Sequence, residues 1–210
     1  MRDLNRIRSR LEKLHTRLIQ DRVLERNIRF DLPGAPLRAE GRVLRLRRDT
    51  ETRFTYKSAS TNREGVLRRE EIEFVVEDFD KAKRFLEALG YQKLVYYEKY
   101  RTTYLMQPSG GFEQSLAERE SEPSEGYTYI MLDELPYGDF VEIEGETVHA
   151  IRAVADRLNL TWDLAIARSY HALFEGVRKT LNLPVRDLAF AQFGDIQVRA
   201  VDLGVQAADV

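Results

Sequence analysis

Residues 139–145 read DFVEIEG. Glu142 and Glu144 stand two apart, with Ile143 between them and Phe140 and Val141 just before. Side chains alternate faces along a strand, so a strand here turns both carboxylates the same way. The same arrangement recurs along the chain. Glu71 and Glu73 share a face in EEIEF, Arg45 and Arg47 in LRLR, and Lys99 and Arg101 in EKYR. Arg53, Thr55 and Lys57 share one in RFTYK, as do Glu25, Asn27, Arg29 and Asp31 in ERNIRFD. One such strand is an ordinary half-solvated sheet face. Several together, in a chain whose helices also need a sheet to cover, predict apolar strand faces under outer helices and charged faces converging inward. That is an α+β fold: an antiparallel β-barrel or tunnel with a charged lumen and helices packed on the outside.

The spacing of apolar residues predicts strands over 23–31, 41–48, 53–58, 68–76, 94–106, 127–133 and 139–145. It predicts helices over 2–20, 78–91, 146–158 and 162–181. Ile7, Leu11, Leu14 and Leu18 mark the first helix, Asp78 or Asp80 caps the second and Gly90 stops it, and Thr161 caps the last. The polar stretch 107–126 reads as a mobile loop inserted in a single tunnel domain of residues 1–193, and 194–210 as a C-terminal tail.

Composition narrows the function. Lys and Arg number 33 against 35 Asp and Glu, a net charge of −2, which argues against a general nucleic-acid binder. The absence of cysteine excludes disulfides and thiolate metal sites and points to a cytoplasmic protein. The N-terminus lacks the apolar run of a signal peptide, and no stretch has the length of a membrane span. His15, His149 and His171 lie far apart in predicted helices, where surface or packing roles are expected.

A charged lumen needs compensation, because a buried carboxylate without a partner costs several kcal/mol. Arg and Lys supply part of it and a divalent cation can supply the rest. Carboxylate ligands without nearby His or Cys suit Mg2+ or Mn2+. The basic side chains in turn call for an anion, and carboxylate-held metal beside a clamp of Arg and Lys matches a polyphosphate.

These residues, in order, resemble the CYTH superfamily, the triphosphate tunnel metalloenzymes, which include class IV adenylyl cyclases, thiamine triphosphatases and inorganic triphosphatases. The likeness runs through ERNIRFDLPGAPLRAEGRVLRLR, FTYK, RREEIEF, a helix ending LEALGY, YEKYR, YIMLDELPYGDFVEIEG and closing helices with SYHALF. It implies that Arg45, Arg47, Lys57, Lys99 and Arg101 grip a triphosphate, such as that of ATP, with Arg29 and Arg53 added from face alternation. It implies that Glu71, Glu73, Glu142 and Glu144, with Asp133 beside them, hold Mg2+ or Mn2+ or orient water. It implies adenylyl cyclase or triphosphatase chemistry on a triphosphate-containing small molecule, and the charge balance and lack of an apolar span add the expectation of no nucleic-acid or membrane partner.

The family's signature, ExExK on a first strand, is not found. ERNIR offers Glu25, Asn27 and Arg29 at the same spacing, but the FDLPG and LRLR that follow place it on the second strand. Three expectations follow: a start that lies upstream, a polyphosphate-binding module with impaired catalysis, or a homodimer in which a neighbouring chain supplies the missing edge.

Overall fold

The computed structural model describes residues 1–14, 16–64, 66–107, 126–194 and 196–209. His15 and nearly all of the 107–126 insertion lie outside them. Helix α1 (Leu4–Lys13) opens the chain, capped by Asp3, whose carboxylate accepts from the Asn5 N–H. It buries Leu4, Ile7 and Leu11, each worth about 1.5–3 kcal/mol of removed apolar surface. The helix predicted to reach residue 20 ends early. Thr16 turns back on the Leu11 carbonyl through its backbone N–H and its hydroxyl. From there the chain is strand β1 (Arg17–Asp31), six residues longer than predicted, because its first part pairs with a later strand: Leu18 lies opposite Tyr104 rather than on a helix face.

The short helix α2 (Pro36–Ala39) follows, then β2 (Val43–Arg48) and β3 (Thr52–Lys57). A small hairpin of β4 (Thr61–Arg63) and β5 (Val66–Arg68), not foreseen, precedes β6 (Glu71–Val76). Helix α3 (Phe79–Ala88) is capped by Asp78 and ends before Gly90, which takes a φ of +89° that suits glycine. Strands β7 (Gln92–Met106), β8 (Thr128–Leu135) and β9 (Gly138–Gly145) complete the main sheet. Helix α4 (Val148–Arg157) follows.

The predicted helix 162–181 is two pieces. A 3-10 turn at Trp162–Leu164 leads through extended chain into α5 (Tyr170–Thr180). The Ser169 hydroxyl, not Thr161, caps it by accepting from the Ala172 N–H, while the Thr161 N–H is held by the Ala208 carbonyl. A last turn, α6 (Phe190–Phe193), precedes a segment whose Leu203 is buried beside Leu173, Phe174 and Phe193.

The seven long strands form one antiparallel sheet in the order β6-β3-β2-β1-β7-β8-β9. Among the described residues β6 and β9 are not hydrogen-bonded to each other, so the ladder stops short of a closed barrel. The apolar strand faces pack outward as expected. Helices α1 and α4 cover Tyr104, Met106, Ile130 and Leu132, and α3 covers Ile28, Phe30 and Leu46. The opposite face borders a cavity of about 2380 Å³. Among the described residues no helix is long and apolar enough to cross a membrane.

Candidate functional site

The register of the sheet builds the site. Alternation sends the odd-numbered residues of β1, β2, β3 and β7 toward the cavity, and Glu25, Arg29, Arg45, Arg47, Arg53, Lys57, Lys99 and Arg101 all line it. At its floor lies a closed ion-pair network. Arg101 grips Asp133 in a bidentate pair at 2.7 and 2.6 Å, and Lys99 Nζ lies 3.0 Å from the same carboxylate. The Tyr170 hydroxyl donates to Asp133 at 2.8 Å. Glu25, 1% exposed, faces Lys99, Arg101 and Arg47 at 3.5, 3.7 and 3.8 Å.

Burial works to raise the Asp133 pKa, but Lys99 and Arg101 outweigh it and hold the group well below the usual carboxylate range. Glu25 is lowered for the same reason: burial opposes its charge, and Lys99, Arg101 and Arg47 overcome that. The network therefore ties Lys99 and Arg101 to buried carboxylates at the cavity floor. Arg101 also reaches Glu142 of β9.

A second group lies on β2, β3 and β6. Thr55 donates to Glu73 at 2.6 Å and accepts from Arg45 at 3.0 Å, and Arg47 reaches Glu73 at 3.3 Å. Lys57 pairs with Glu71 at 2.6 Å, and Arg69 shares that carboxylate at 3.3 Å. Arg53 is turned to Asp49 and Glu51 and lies 3.8 Å from Glu73. Burial, then Arg45, lowers the pKa of Lys57, so positive charge is crowded here.

Comparison with known proteins identifies the scaffold. The sequence matches the CYTH domain over residues 4–163. The chain belongs to the CYTH family. Among solved structures, this CYTH chain resembles a proposed adenylate cyclase from Vibrio parahaemolyticus (TM-score 0.65, 18% identity, covering 83% of this chain and 93% of that one). It also resembles a protein from Pyrococcus horikoshii (TM-score 0.58, 21% identity, 80% and 92% coverage). A third is a proposed adenylyl cyclase from Hippeastrum with a dominant triphosphatase activity (TM-score 0.56, 15% identity, 82% and 90% coverage). At these identities the likeness shows the fold. No curated protein matches the sequence.

The CYTH carboxylates divide by environment. Asp133 has both oxygens taken by Arg101, Lys99 and Tyr170, an arrangement for positioning cations rather than ligating one. Glu142 and Glu144 face the cavity from the β9 edge. Burial, then the charge of Glu142, raises the Glu144 pKa. Glu71 of β6 and Lys57 of β3 line the same cavity as Glu144. Among the described residues no three carboxylates or histidines are yet gathered as a metal site. Glu144 and Glu142 nonetheless repel each other on one strand, which a hard divalent cation would relieve, and carboxylate oxygens suit Mg2+ or Mn2+.

Several CYTH cavity residues escaped the sequence reading. Tyr170 sits in the SYHALF stretch, but its contact with Asp133 depends on where Ser169 starts α5. Arg69 precedes the β6 pair in RREEIEF, where its neighbours drew the eye. Arg38 rides on α2, which alternation cannot place. His171 lines the cavity half-buried, and His149 lines it from an exposed position.

Proposed function

We propose that this CYTH chain binds a triphosphate, inorganic or nucleoside, in its cavity with Mg2+ or Mn2+, and acts on it as a triphosphatase or an adenylyl cyclase. The observation that carries this reading is the juxtaposition of the Arg45, Arg47, Lys57, Lys99 and Arg101 side chains with the carboxylate edge of Glu142 and Glu144 around one cavity. Lys99 and Arg101, held by Asp133 and Glu25, and Arg45, Arg47 and Lys57 opposite them would grip the phosphoryl oxygens through charge-assisted hydrogen bonds. Arg53, tied to Asp49 and Glu51, would serve at the margin.

Glu71, Glu73, Glu142 and Glu144 would hold the divalent cation, which when bound neutralises phosphoryl charge. As a triphosphatase, water attacks the γ-phosphorus and the bond to the β–γ bridging oxygen breaks, leaving diphosphate. As a cyclase, the ribose hydroxyl attacks the α-phosphorus and pyrophosphate leaves. Composition and the lack of cysteine favour work in the cytoplasm.

The alternative is a module that holds a polyphosphate with little turnover. It draws support from the ion pairs that Glu71, Glu73 and Glu142 already make. Incubation of the full chain with tripolyphosphate or ATP and Mn2+, with separation of the products, tests this. Orthophosphate identifies the triphosphatase and a cyclic nucleotide the cyclase. Binding without either product leaves the binding module, and no binding overturns the proposal.

A further inference from the structure

Not all of the cavity's cations are compensated. The floor cations Lys99 and Arg101 are matched by Glu25, Asp133 and Glu142. Arg29 is different. It stands directly opposite Arg45 in the β1–β2 register, and like charges opposed across a ladder repel. Its next neighbour across the sheet is Val95 of β7. Among the described residues Arg29 forms no ion pair, and its Nε is buried without a hydrogen-bond partner.

Arg38 lines the same cavity and also has no ion pair among the described residues. Its place is fixed by the Asp31 carboxylate, which accepts from the backbone N–H groups of Leu37 at 3.0 Å and Arg38 at 2.9 Å and so pins α2 to the end of β1. His171 enters from the first turn of α5, with both ring nitrogens buried and unpartnered. The carboxylate it feels, Glu175, is engaged by Arg178 at 2.8 Å. These three groups come from β1, α2 and α5 and line the same cavity as Arg45 and Arg69. Burial and the charges of Arg38, Arg69 and Arg45 depress the Arg29 pKa, and burial and Arg29 depress that of His171 to about 4.

We infer that Arg29, Arg38 and His171 form an additional anion subsite continuous with the Arg45 side of the cavity, and that it takes a further phosphoryl group of a linear polyphosphate longer than three units. This rests on the triphosphate reading above and extends it to chain length. The reasoning is electrostatic. A half-buried, unpaired guanidinium such as Arg29 costs free energy that an arriving anion recovers, and Arg38, exposed on the same wall, adds its charge. The recovery is available only to a ligand long enough to reach beyond Arg45. A fourth phosphoryl group brings the charge and acceptor oxygens that two guanidinium groups and an imidazole N–H can use. A nucleoside brings no such charge to that place.

The test is calorimetric titration of the full chain, in Mg2+, with tripolyphosphate, tetrapolyphosphate and ATP. Tetrapolyphosphate should bind about tenfold more tightly than tripolyphosphate, as one added charge-assisted contact gives. The double variant Arg38→Gln, His171→Ala should remove most of that difference while leaving tripolyphosphate binding within about threefold. His171→Ala should reduce the difference in part. Thermal unfolding of each apo variant checks that the fold persists, and the wild-type comparison stands without any variant. Equal affinity of the wild type for the two polyphosphates overturns the inference and leaves the proposed function standing. So does ATP binding more tightly than tetrapolyphosphate, or a double variant that weakens both polyphosphates alike. Binding of none of the three overturns both.

Discussion

At the scale of single residues, Asp133 and Glu144 show how one residue class takes opposite parts. Asp133 is 0% exposed and is held ionised by Lys99 and Arg101. Because its folded pKa is depressed, its contribution to stability is present above the unfolded carboxylate pKa and is lost as pH falls through the folded value, in strong acid. Asp133→Asn should therefore cost about 3–5 kcal/mol at neutral pH, the range for removing one partner of a buried pair, read as a lowered denaturation midpoint. Glu144 runs the other way. Its raised pKa means that its charge is a burden in the apo fold, relieved as pH falls toward that pKa. Glu144→Gln should leave apo stability unchanged or slightly higher at neutral pH, while reducing the effect of Mn2+ on tripolyphosphate binding. An unaltered metal effect would remove Glu144 from the cation site. Arg45→Ala with Arg47→Ala should weaken tripolyphosphate binding by about a hundredfold or more, with the circular dichroism spectrum retained. Unchanged affinity would place the anion elsewhere.

At the scale of elements, strands proved easier to read than helix ends. Alternation reported the sheet because one face had to meet α1, α3 and α4 and the other lined the cavity, so the charges of RFTYK and DFVEIEG fell where a period of two puts them. The helices 2–20 and 162–181 were misjudged because an apolar spacing that suits a helix does not show what competes for the backbone. Past Lys13 the competitor is β7, which pairs with Arg17, Leu18 and Gln20. Near Thr161 it is the Ala208 carbonyl. Ser169 is where α5 begins, and Ser169→Ala should cost about 1 kcal/mol as a lost cap. If Tyr170 reaches Asp133 only because that cap fixes the first turn, the same variant should also weaken triphosphate binding. The deep floor of the site was partly legible, since Lys99, Arg101 and Asp133 stood out in sequence. Arg38, Arg69 and His171 did not, because their positions depend on the α2 turn, the approach to β6 and the start of α5.

At the scale of the molecule, the two edge strands of the seven-stranded sheet, β6 and β9, both contribute carboxylates to one cavity, Glu71 and Glu73 from one and Glu142 and Glu144 from the other. The C-terminal segment closes over one side. The Asp209 carboxylate accepts from the backbone N–H groups of Arg2 and Asp3, and Leu203 joins the cluster around Phe174. The central claim is that this cavity is a metal-assisted triphosphate site, and the most direct measurement is thermal unfolding with tripolyphosphate, with and without Mn2+. A ligand that binds only the folded chain adds about 2.7 kcal/mol at a hundredfold excess over its dissociation constant. The account predicts a clear rise in Tm with tripolyphosphate that grows when Mn2+ is added. A Tm unmoved by tripolyphosphate under either condition would contradict it.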